Sequence, residues 1–542
     1  MPRVVIDSQK VEVPAGNTIL DAARKLGLDI PALCHLDGHP PGTSCMLCLV
    51  RVKGRDRLVP SCATLVEEGM EIESESAHVR SLRRTGLELL LADHAGDCIA
   101  PCQNVCPAGM DIPSMLRQIA GNRWDDAIVT IRKDIALPAI LGRACPELCE
   151  RGCRLGDIGR PASICMLKRF VADRDLASST PHLPACQPPS GKSVAILGAG
   201  PTGLAAAYHL LLAGHACTLF DERGLPGGSL RTEFDSQQLP PEVIDAEVGV
   251  IARLGAGFRM GVCVGRDVSL AGLREEFDAV LVAVGKVTAE NAKMLDMRVA
   301  KDHLLVNRQT QQTELKGVFA AGRAARPGKL VVRNVADGKR AAVCIDQYLS
   351  GVPVTGPQDE FHYRLRHVDS DEATALAPIT NQTSKPAPPP NVMEGLTPQQ
   401  AMTEAARCLH CDCALARTCR LRHYARVYGA NPDRYQGGRK TLRRHLEHAD
   451  VIYEPGKCIL CGLCVQIASE AGEPLGLTFV GRGFDVRVEV PFNRSIADGL
   501  QHAARLCAEA CPTGALVLRT DGCQAGLCGS VEPPRGAQAP AP

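Results

Sequence analysis

The segment Ser193–Glu222, SVAILGAGPTGLAAAYHLLLAGHACTLFDE, passes from a continuous apolar stretch through a glycine turn and an apolar helical pattern to a second apolar stretch. Gly198, Gly200 and Gly203 form G-x-G-x-x-G between strand and helix, and Asp221 closes the second strand. Glycines at those positions permit a tight turn and let backbone N–H groups approach a pyrophosphate, while the carboxylate accepts from ribose hydroxyls. The segment therefore reads as a β-α-β unit of a parallel sheet built to hold a dinucleotide.

Around it lie 542 residues, 45% of them hydrophobic, ample for several domains. A net charge of +1 lacks the basic excess of nucleic-acid binders, and no apolar run approaches the ~18 residues of a membrane span. Neither nucleic acid nor membrane insertion is expected. The opening MPRVVIDSQKVEVPAGNTI alternates like a strand and lacks the charged-then-apolar layout of a signal peptide, so a cytoplasmic location is expected. In a reducing compartment, 26 cysteines argue for metal ligation over disulfides. Of those outside the main groups, Cys217, Cys263 and Cys344 read as small buried hydrophobes.

The first group is Cys34, Cys45, Cys48 and Cys62, C-x10-C-x2-C-x13-C. Four thiolates from separated loops can enclose the two irons of a 2Fe-2S cluster, with zinc as the alternative. With GNTILDAARKLGLDIPALC before it, the pattern resembles the N-terminal ferredoxin domain of the complex I large iron-sulfur subunit and of iron hydrogenases. The resemblance implies a β-grasp 2Fe-2S domain.

The second group comprises His94, Cys98, Cys102 and Cys106 in HAGDCIAPCQNVCP, Cys145, Cys149 and Cys153 in GRACPELCERGC, and Cys165 in PASICMLKRF. It resembles the N-terminal domain of the glutamate synthase small subunit and of dihydropyrimidine dehydrogenase, which implies two 4Fe-4S clusters. Carried over by motif, one would use Cys98, Cys102 and Cys153, the other Cys106, Cys145 and Cys149. His94 resembles the histidine of H-x3-C in the complex I subunit and is favoured as a ligand over a helix-end histidine. Where dihydropyrimidine dehydrogenase has a glutamine ligand, this chain has Lys168, whose ammonium has no lone pair. Cys165, on the same helical face, is the better donor.

Near the C-terminal end, Cys408, Cys411, Cys413 and Cys419 in RCLHCDCALARTC could hold 4Fe-4S or zinc, and the neighbouring redox motifs favour iron-sulfur. KCILCGLCVQIA, residues 457–468, begins as the ferredoxin run C-x2-C-x2-C but has Ala468 in the fourth place. In two-cluster ferredoxins that fourth cysteine serves the other cluster. Cys458, Cys461, Cys464 and Cys511 thus form a complete set, whereas the partner set retains only Cys507; Cys507, Cys523 and Cys528 leave a rearranged site open.

The flanks of the dinucleotide unit, LPGGSLR, LPPEVIDAEV, FDAVLVAVG and KGVFAAGRAA, resemble the FAD domain of glutamate synthase-like flavoproteins. The resemblance implies FAD, with Gly228 and Gly322 in its site. The family's NAD(P)H domain, normally inserted between the AVG and GVFAAG strands, is expected to be missing, and Arg323 replaces the aspartate that meets the flavin ribityl chain.

The expected fold is multidomain, α/β and α+β. It comprises a β-grasp 2Fe-2S ferredoxin domain (1–80), a helical domain with two 4Fe-4S clusters (81–185), and a Rossmann-like FAD-binding domain (186–352). A linker (353–400), the four-cysteine motif (401–445), a 4Fe-4S ferredoxin-like domain (446–530) and a disordered tail (531–542) complete it. The resemblances imply one 2Fe-2S cluster, three 4Fe-4S clusters, or four if the Cys408 group binds one, and FAD. They imply an oxidoreductase subunit for electron transfer that docks to a catalytic or electron-donor partner. A self-sufficient NAD(P)H:acceptor oxidoreductase and an assembly scaffold are the alternatives.

Overall fold

The computed structural model describes residues 1–300, 302–358, 360–376, 395–435 and 437–519. The chain forms two units. The first contains Met1–Ile99, Glu360–Leu376 and, of the chain after His410, residues 411–435 and 437–519; the second contains residues 100–358 and 395–410, so it is inserted within the sequence of the first.

In the first unit, β1 (Arg3–Ile6) and β2 (Gln9–Glu12) form a hairpin whose turn residues, Asp7 and Ser8, both have positive φ. That is the tight-turn geometry whose twist suits antiparallel strands. Val4, Ile6 and Val11 alternate inward. With β3 (Leu49–Val52), β4 (Val59–Pro60) and β5 (Glu71–Glu73) they make a sheet of order β2-β1-β5-β3-β4, in which only β1 and β5 run parallel. A helix, Ile19–Lys25, opened by a reciprocal Thr18–Asp21 cap, buries Ile19, Leu20, Ala22 and Ala23 against the same core.

Helix Ala77–Ala92 follows, with Val79, Leu87 and Leu91 on its buried face. Toward the C-terminal end, strand Val451–Tyr453 pairs antiparallel with Leu516–Leu518, and helices Leu463–Glu470 and Ala504–Ala510 pack into one apolar core with them. Residues 360–376, inside the stretch expected to be a linker, contribute to the first unit: Tyr363 and Leu365 are buried, and a helix spans Ser370–Leu376. The proline-rich neighbour dominated the composition there, hiding the period-two alternation of Phe361, Tyr363 and Leu365. The expected tail lies outside the described residues.

The second unit begins with short helices, among them Pro101–Val105, Trp124–Asp134, Pro138–Ala144, Leu148–Arg151 and Ile164–Leu176. A parallel sheet comes next. Its strands are β6 (Ser193–Leu197), β7 (Ala216–Asp221), β8 (Gly257–Met260), β9 (Ala279–Val282) and, after the small hairpin β10 (Val299–Ala300) and β11 (His303–Leu304), β12 (Val318–Ala320). The order β12-β9-β6-β7-β8, all parallel, is that of a Rossmann-like sheet, with the apolar β6 at its centre. Between β9 and β12 the chain forms only a short helix, Ala289–Met294, and the β10–β11 hairpin among the described residues. Helices Pro201–Leu212 and Val331–Leu349 approach so closely that a side chain on Gly338 would collide with the Thr202 carbonyl.

The helical region and the sheet are tied by buried polar groups. Glu247, fully buried, accepts the Ala139 N–H at 2.7 Å and faces the equally buried Arg132, whose carbonyl accepts from the Tyr208 hydroxyl at 2.9 Å. Burial raises the Glu247 pKa to about 7 despite Arg132.

Candidate functional site

Cysteine loops recur along the chain with a shared backbone signature. Met46, Glu147, His410 and Leu460 each lie between two cysteines of a group and have φ of +54°, +55°, +47° and +56°. Non-glycine residues rarely adopt this conformation, and such strain concentrates at ligand-holding loops. It turns the chain sharply between the two cysteines of each loop.

In the first unit, Cys34 and Cys45 bring their sulfurs to 3.3 Å, and Cys48 and Cys62 to 3.4 Å. Contact with Cys45 pulls the Cys34 thiol below its ordinary value, and contact with Cys62 does the same for Cys48. All four are buried, and the charges of Cys48, Cys34 and Cys45 all bear on Cys62, so the donors form one set. Arg83, fully buried on helix Ala77–Ala92, holds the loop in place. It donates to the carbonyls of Leu47 at 3.0 Å and Leu49 at 3.1 Å, on either side of Cys48, and pairs with Glu75. Nothing in the local sequence around Arg83 marks this role.

Cys458, Cys461, Cys464 and Cys511 line one cavity together with Tyr453, Thr513 and Leu516. Leu460 donates its N–H to the Cys458 sulfur at 3.4 Å, and the Thr513 hydroxyl donates to the Lys457 carbonyl at 2.9 Å, locking the turn after Cys511. Ala468 is fully buried among Ile467, Ala503, Ala504 and Cys507, so apolar packing fills its surroundings. Cys507 donates its thiol to the Cys464 carbonyl at 3.5 Å, and burial pushes it up to about 12. Cys523 and Cys528 lie outside the described residues.

The first and last of these loops touch. Ser44 donates its hydroxyl to the Cys461 carbonyl at 3.3 Å, and a side chain on Gly42 would meet the carbonyls of Cys34 and Cys461, both at 3.3 Å. Glycine thus permits the contact.

Cys106, Cys145 and Cys149 surround a small cavity of the second unit, and Cys165 lies in hydrogen-bonding contact with Cys145 and Cys149. Lys168 joins them, 4% exposed, with Nζ 3.9 Å from the Cys165 sulfur. Burial opposes its charge, but the thiols of Cys165, Cys145, Cys149 and Cys106 outweigh burial and hold its pKa above the ordinary lysine value. A unit charge at this range is worth several kcal/mol at an effective dielectric of ~20. Lys168→Met should therefore shift the midpoint potential of an iron-sulfur cluster held here negative by on the order of 100 mV, while Lys168→Arg should not, as read by EPR-monitored redox titration.

The remaining cysteines divide between the units. Cys102, Cys153 and Cys408 belong to the second, and Cys98, Cys411, Cys413 and Cys419 to the first. The Cys413 N–H donates to the Cys98 carbonyl at 3.4 Å, and Cys98 and Cys419 pack in one apolar cluster. His94 lies edge-on to Tyr363, ring centroids 5.1 Å apart, and burial, with help from Lys457 and Lys440, lowers its pKa to about 3, leaving a neutral ring. Among the described residues, no three His, Cys, Asp or Glu side chains converge as a single metal ion requires.

In the Rossmann-like sheet, Gly198, Gly200, Asp221, Gly228 and Arg323 line a cavity of about 530 Å³, within the range of cofactor pockets. Gly203 sits behind the turn, where a side chain would run into the Gly198 carbonyl. Gly322, at φ +62°, leaves no room for one beside Thr202. Gly200 differs: a Cβ there would meet nothing nearer than Gly228 Cα at 3.9 Å. Helix Pro201–Leu212 points its N-terminus at this space, a natural anion site. Asp221 is oriented by the Ala199 N–H at 2.8 Å and the Arg223 N–H at 2.9 Å. Arg323 pairs with Glu233 at 2.5 Å, both lining the cavity. Glu233 belongs to no sequence motif that would mark it, and Cys263 resembles a buried hydrophobe in sequence alone. Cys263 is instead half-buried and lines this cavity, because the turn after β8 brings it to the sheet's ligand edge. Cys217 and Cys344 are buried.

Comparison with known proteins yields three family matches. Residues 3–77 match a 2Fe-2S iron-sulfur cluster binding domain, residues 91–180 dihydropyrimidine dehydrogenase domain II, 4Fe-4S cluster, and residues 196–256 an NAD(P)-binding Rossmann-like domain. The NADP(+)-dependent formate dehydrogenase subunit beta of Moorella thermoacetica is 37% identical over 207 residues, 34% of this chain and 29% of that one. A homolog of the NAD-dependent dihydropyrimidine dehydrogenase subunit PreT from Salmonella typhi is 34% identical over 231 residues, 41% of this chain and 56% of that one. The glutamate synthase [NADPH] small chain of Mycobacterium tuberculosis is 35% identical over 190 residues, 35% of this chain and 39% of that one. The match thus spans from under a third to about half of these relatives. The chain combines 2Fe-2S and 4Fe-4S domains with a Rossmann-like nucleotide domain, and its relatives are oxidoreductases.

Proposed function

We propose that this protein is an electron-transfer iron-sulfur flavoprotein, a subunit of a larger oxidoreductase, passing electrons between FAD and a chain of clusters. The observation that carries the reading is adjacency: the loop of Cys34 and Cys45 rests on the Cys461 loop, and Cys34, Cys45, Cys98, Cys419 and Cys461 pack in one apolar cluster. Closely spaced thiol sets in apolar surroundings are what one-electron relay between centres requires. In this reading, the mixed sheet β1–β5 is a β-grasp ferredoxin domain holding 2Fe-2S, and the C-terminal core is a ferredoxin-like domain resembling that of the complex I subunit.

FAD suits the Rossmann-like cavity. The three glycines and the helix N-terminus would take the pyrophosphate, Asp221 the ribose, and Arg323, freed from Glu233, a phosphate or the flavin side. Bound there, FAD supplies the exchange between electron pairs and single electrons. The short connection between β9 and β12 supports an external electron donor or acceptor, supplied by a partner subunit. Relatives named for formate dehydrogenase and glutamate synthase suggest the kind of partner. No described helix is long and apolar enough to cross a membrane, and we take the protein to work in the cytoplasm.

Anaerobic mixing of the purified chain with NADH or NADPH tests the subunit role. Flavin bleaching slower than about one turnover per minute is expected from the chain alone, well below the typical 1–1,000 per second of self-sufficient enzymes. Rapid bleaching would favour an independent NAD(P)H:acceptor oxidoreductase. The match to an NAD(P)-binding family keeps that reading alive.

A further inference from the structure

Cys98 and the Cys413–Cys419 loop meet inside the first unit although the whole second unit separates them in sequence. Their sulfurs are already oriented. Cys98 Sγ accepts the Tyr363 N–H at 3.3 Å, and Cys419 Sγ accepts the Arg422 N–H at 3.5 Å. Backbone N–H groups aimed at sulfur stabilise a negatively charged cluster and set its potential. Cys413 Sγ fills the space where a side chain on Gly514 would stand, so glycine there leaves room for the sulfur. The His94 ring packs against Tyr363, the residue that binds the Cys98 sulfur, and the Lys457 side chain runs from beside Gly96, two residues after His94, to the space beside Gly514 that Cys413 Sγ fills.

We infer that Cys98, Cys413 and Cys419, with the His94 imidazole as fourth donor, bind one 4Fe-4S cluster assembled from the two chain segments that flank the inserted unit. Two local cysteine patterns, each resembling a site of its own, are by this account partly one site. Its position in the apolar cluster that also contains Cys45 and Cys461 makes it a relay centre beside the other two sets of the first unit.

The inference rests on the reading of this chain as an iron-sulfur carrier, and the test separates the two. Full-length Cys98→Ser, Cys419→Ser and the double variant are compared by anaerobic iron quantitation and low-temperature EPR after reduction. Each single variant should lose about four irons and the same signal, and the double variant the same four. A double variant that loses about eight, with different signals missing from the two single variants, would overturn the shared site. Pulsed EPR of the unaltered chain gives a second readout that needs no folded cysteine variant. One cluster signal should carry strong nitrogen coupling that disappears in His94→Ala; its absence from the wild type would remove His94 from the site. Wild-type protein without iron-sulfur signals would contradict instead the functional reading beneath.

Discussion

Replacing Cys511 with serine is expected to remove about four irons and one EPR signal from the anaerobically purified protein, leaving the remaining clusters in place. Cys511 lies far from Cys458, Cys461 and Cys464 in sequence but shares their cavity. It caps helix Ala504–Ala510, and the Thr513 hydroxyl bond to the Lys457 carbonyl fixes it toward the loop. Serine offers a poorer donor for iron, so the effect should approach complete loss. The reciprocal change, Ala468→Cys, should add no iron. Its side chain would enter a filled apolar core beside Ala504 and Cys507, and its measurable effect should be a destabilisation of about 1–3 kcal/mol in denaturant unfolding.

Gly200→Val is expected to lower flavin content at least tenfold, a loss of about 1.4 kcal/mol or more in binding, with iron content unchanged. The reasoning is steric. Gly200 has φ of −84°, which any residue adopts, and a Cβ there meets no protein atom within 3.8 Å, so the fold tolerates the substitution. The added methyl groups would instead occupy the turn where backbone N–H groups must approach a pyrophosphate. Gly203→Val makes the contrast: its side chain strikes the Gly198 carbonyl, so it should damage the second unit itself and lose iron as well as flavin. Absorbance of released flavin beside iron quantitation distinguishes the two.

Much of this was legible in the sequence because the chemistry repeats at fixed spacing. The apolar run of Ser193–Leu197, its glycine turn and Asp221 foretold a central parallel strand with a dinucleotide edge, since periodicity and turn chemistry are local signals. The placing of Cys511 in the same cavity as the Cys458 loop followed from the offset at which ferredoxins exchange ligands. What escaped was non-local. Cys98 lies beside Cys413 only because the second unit is inserted between them, and no local spacing records that contact. Arg83 and Tyr363 carry no local sequence signal for a role, yet both are buried and hydrogen-bond to cysteine loops. Lys168 was seen as a failed ligand; its place among four thiols gives it an electrostatic role instead.

The central claim is that thiol sets in both units hold iron-sulfur clusters working with a flavin. Anaerobic quantitation of iron and flavin on one fully loaded sample, joined to EPR spin counting, tests it most directly. About 14 irons per chain are expected, or about 18 if the remaining cysteines bind a further 4Fe-4S cluster, with one FAD per chain. Fewer than about 10 irons in fully loaded protein, or no bound flavin, would contradict the account.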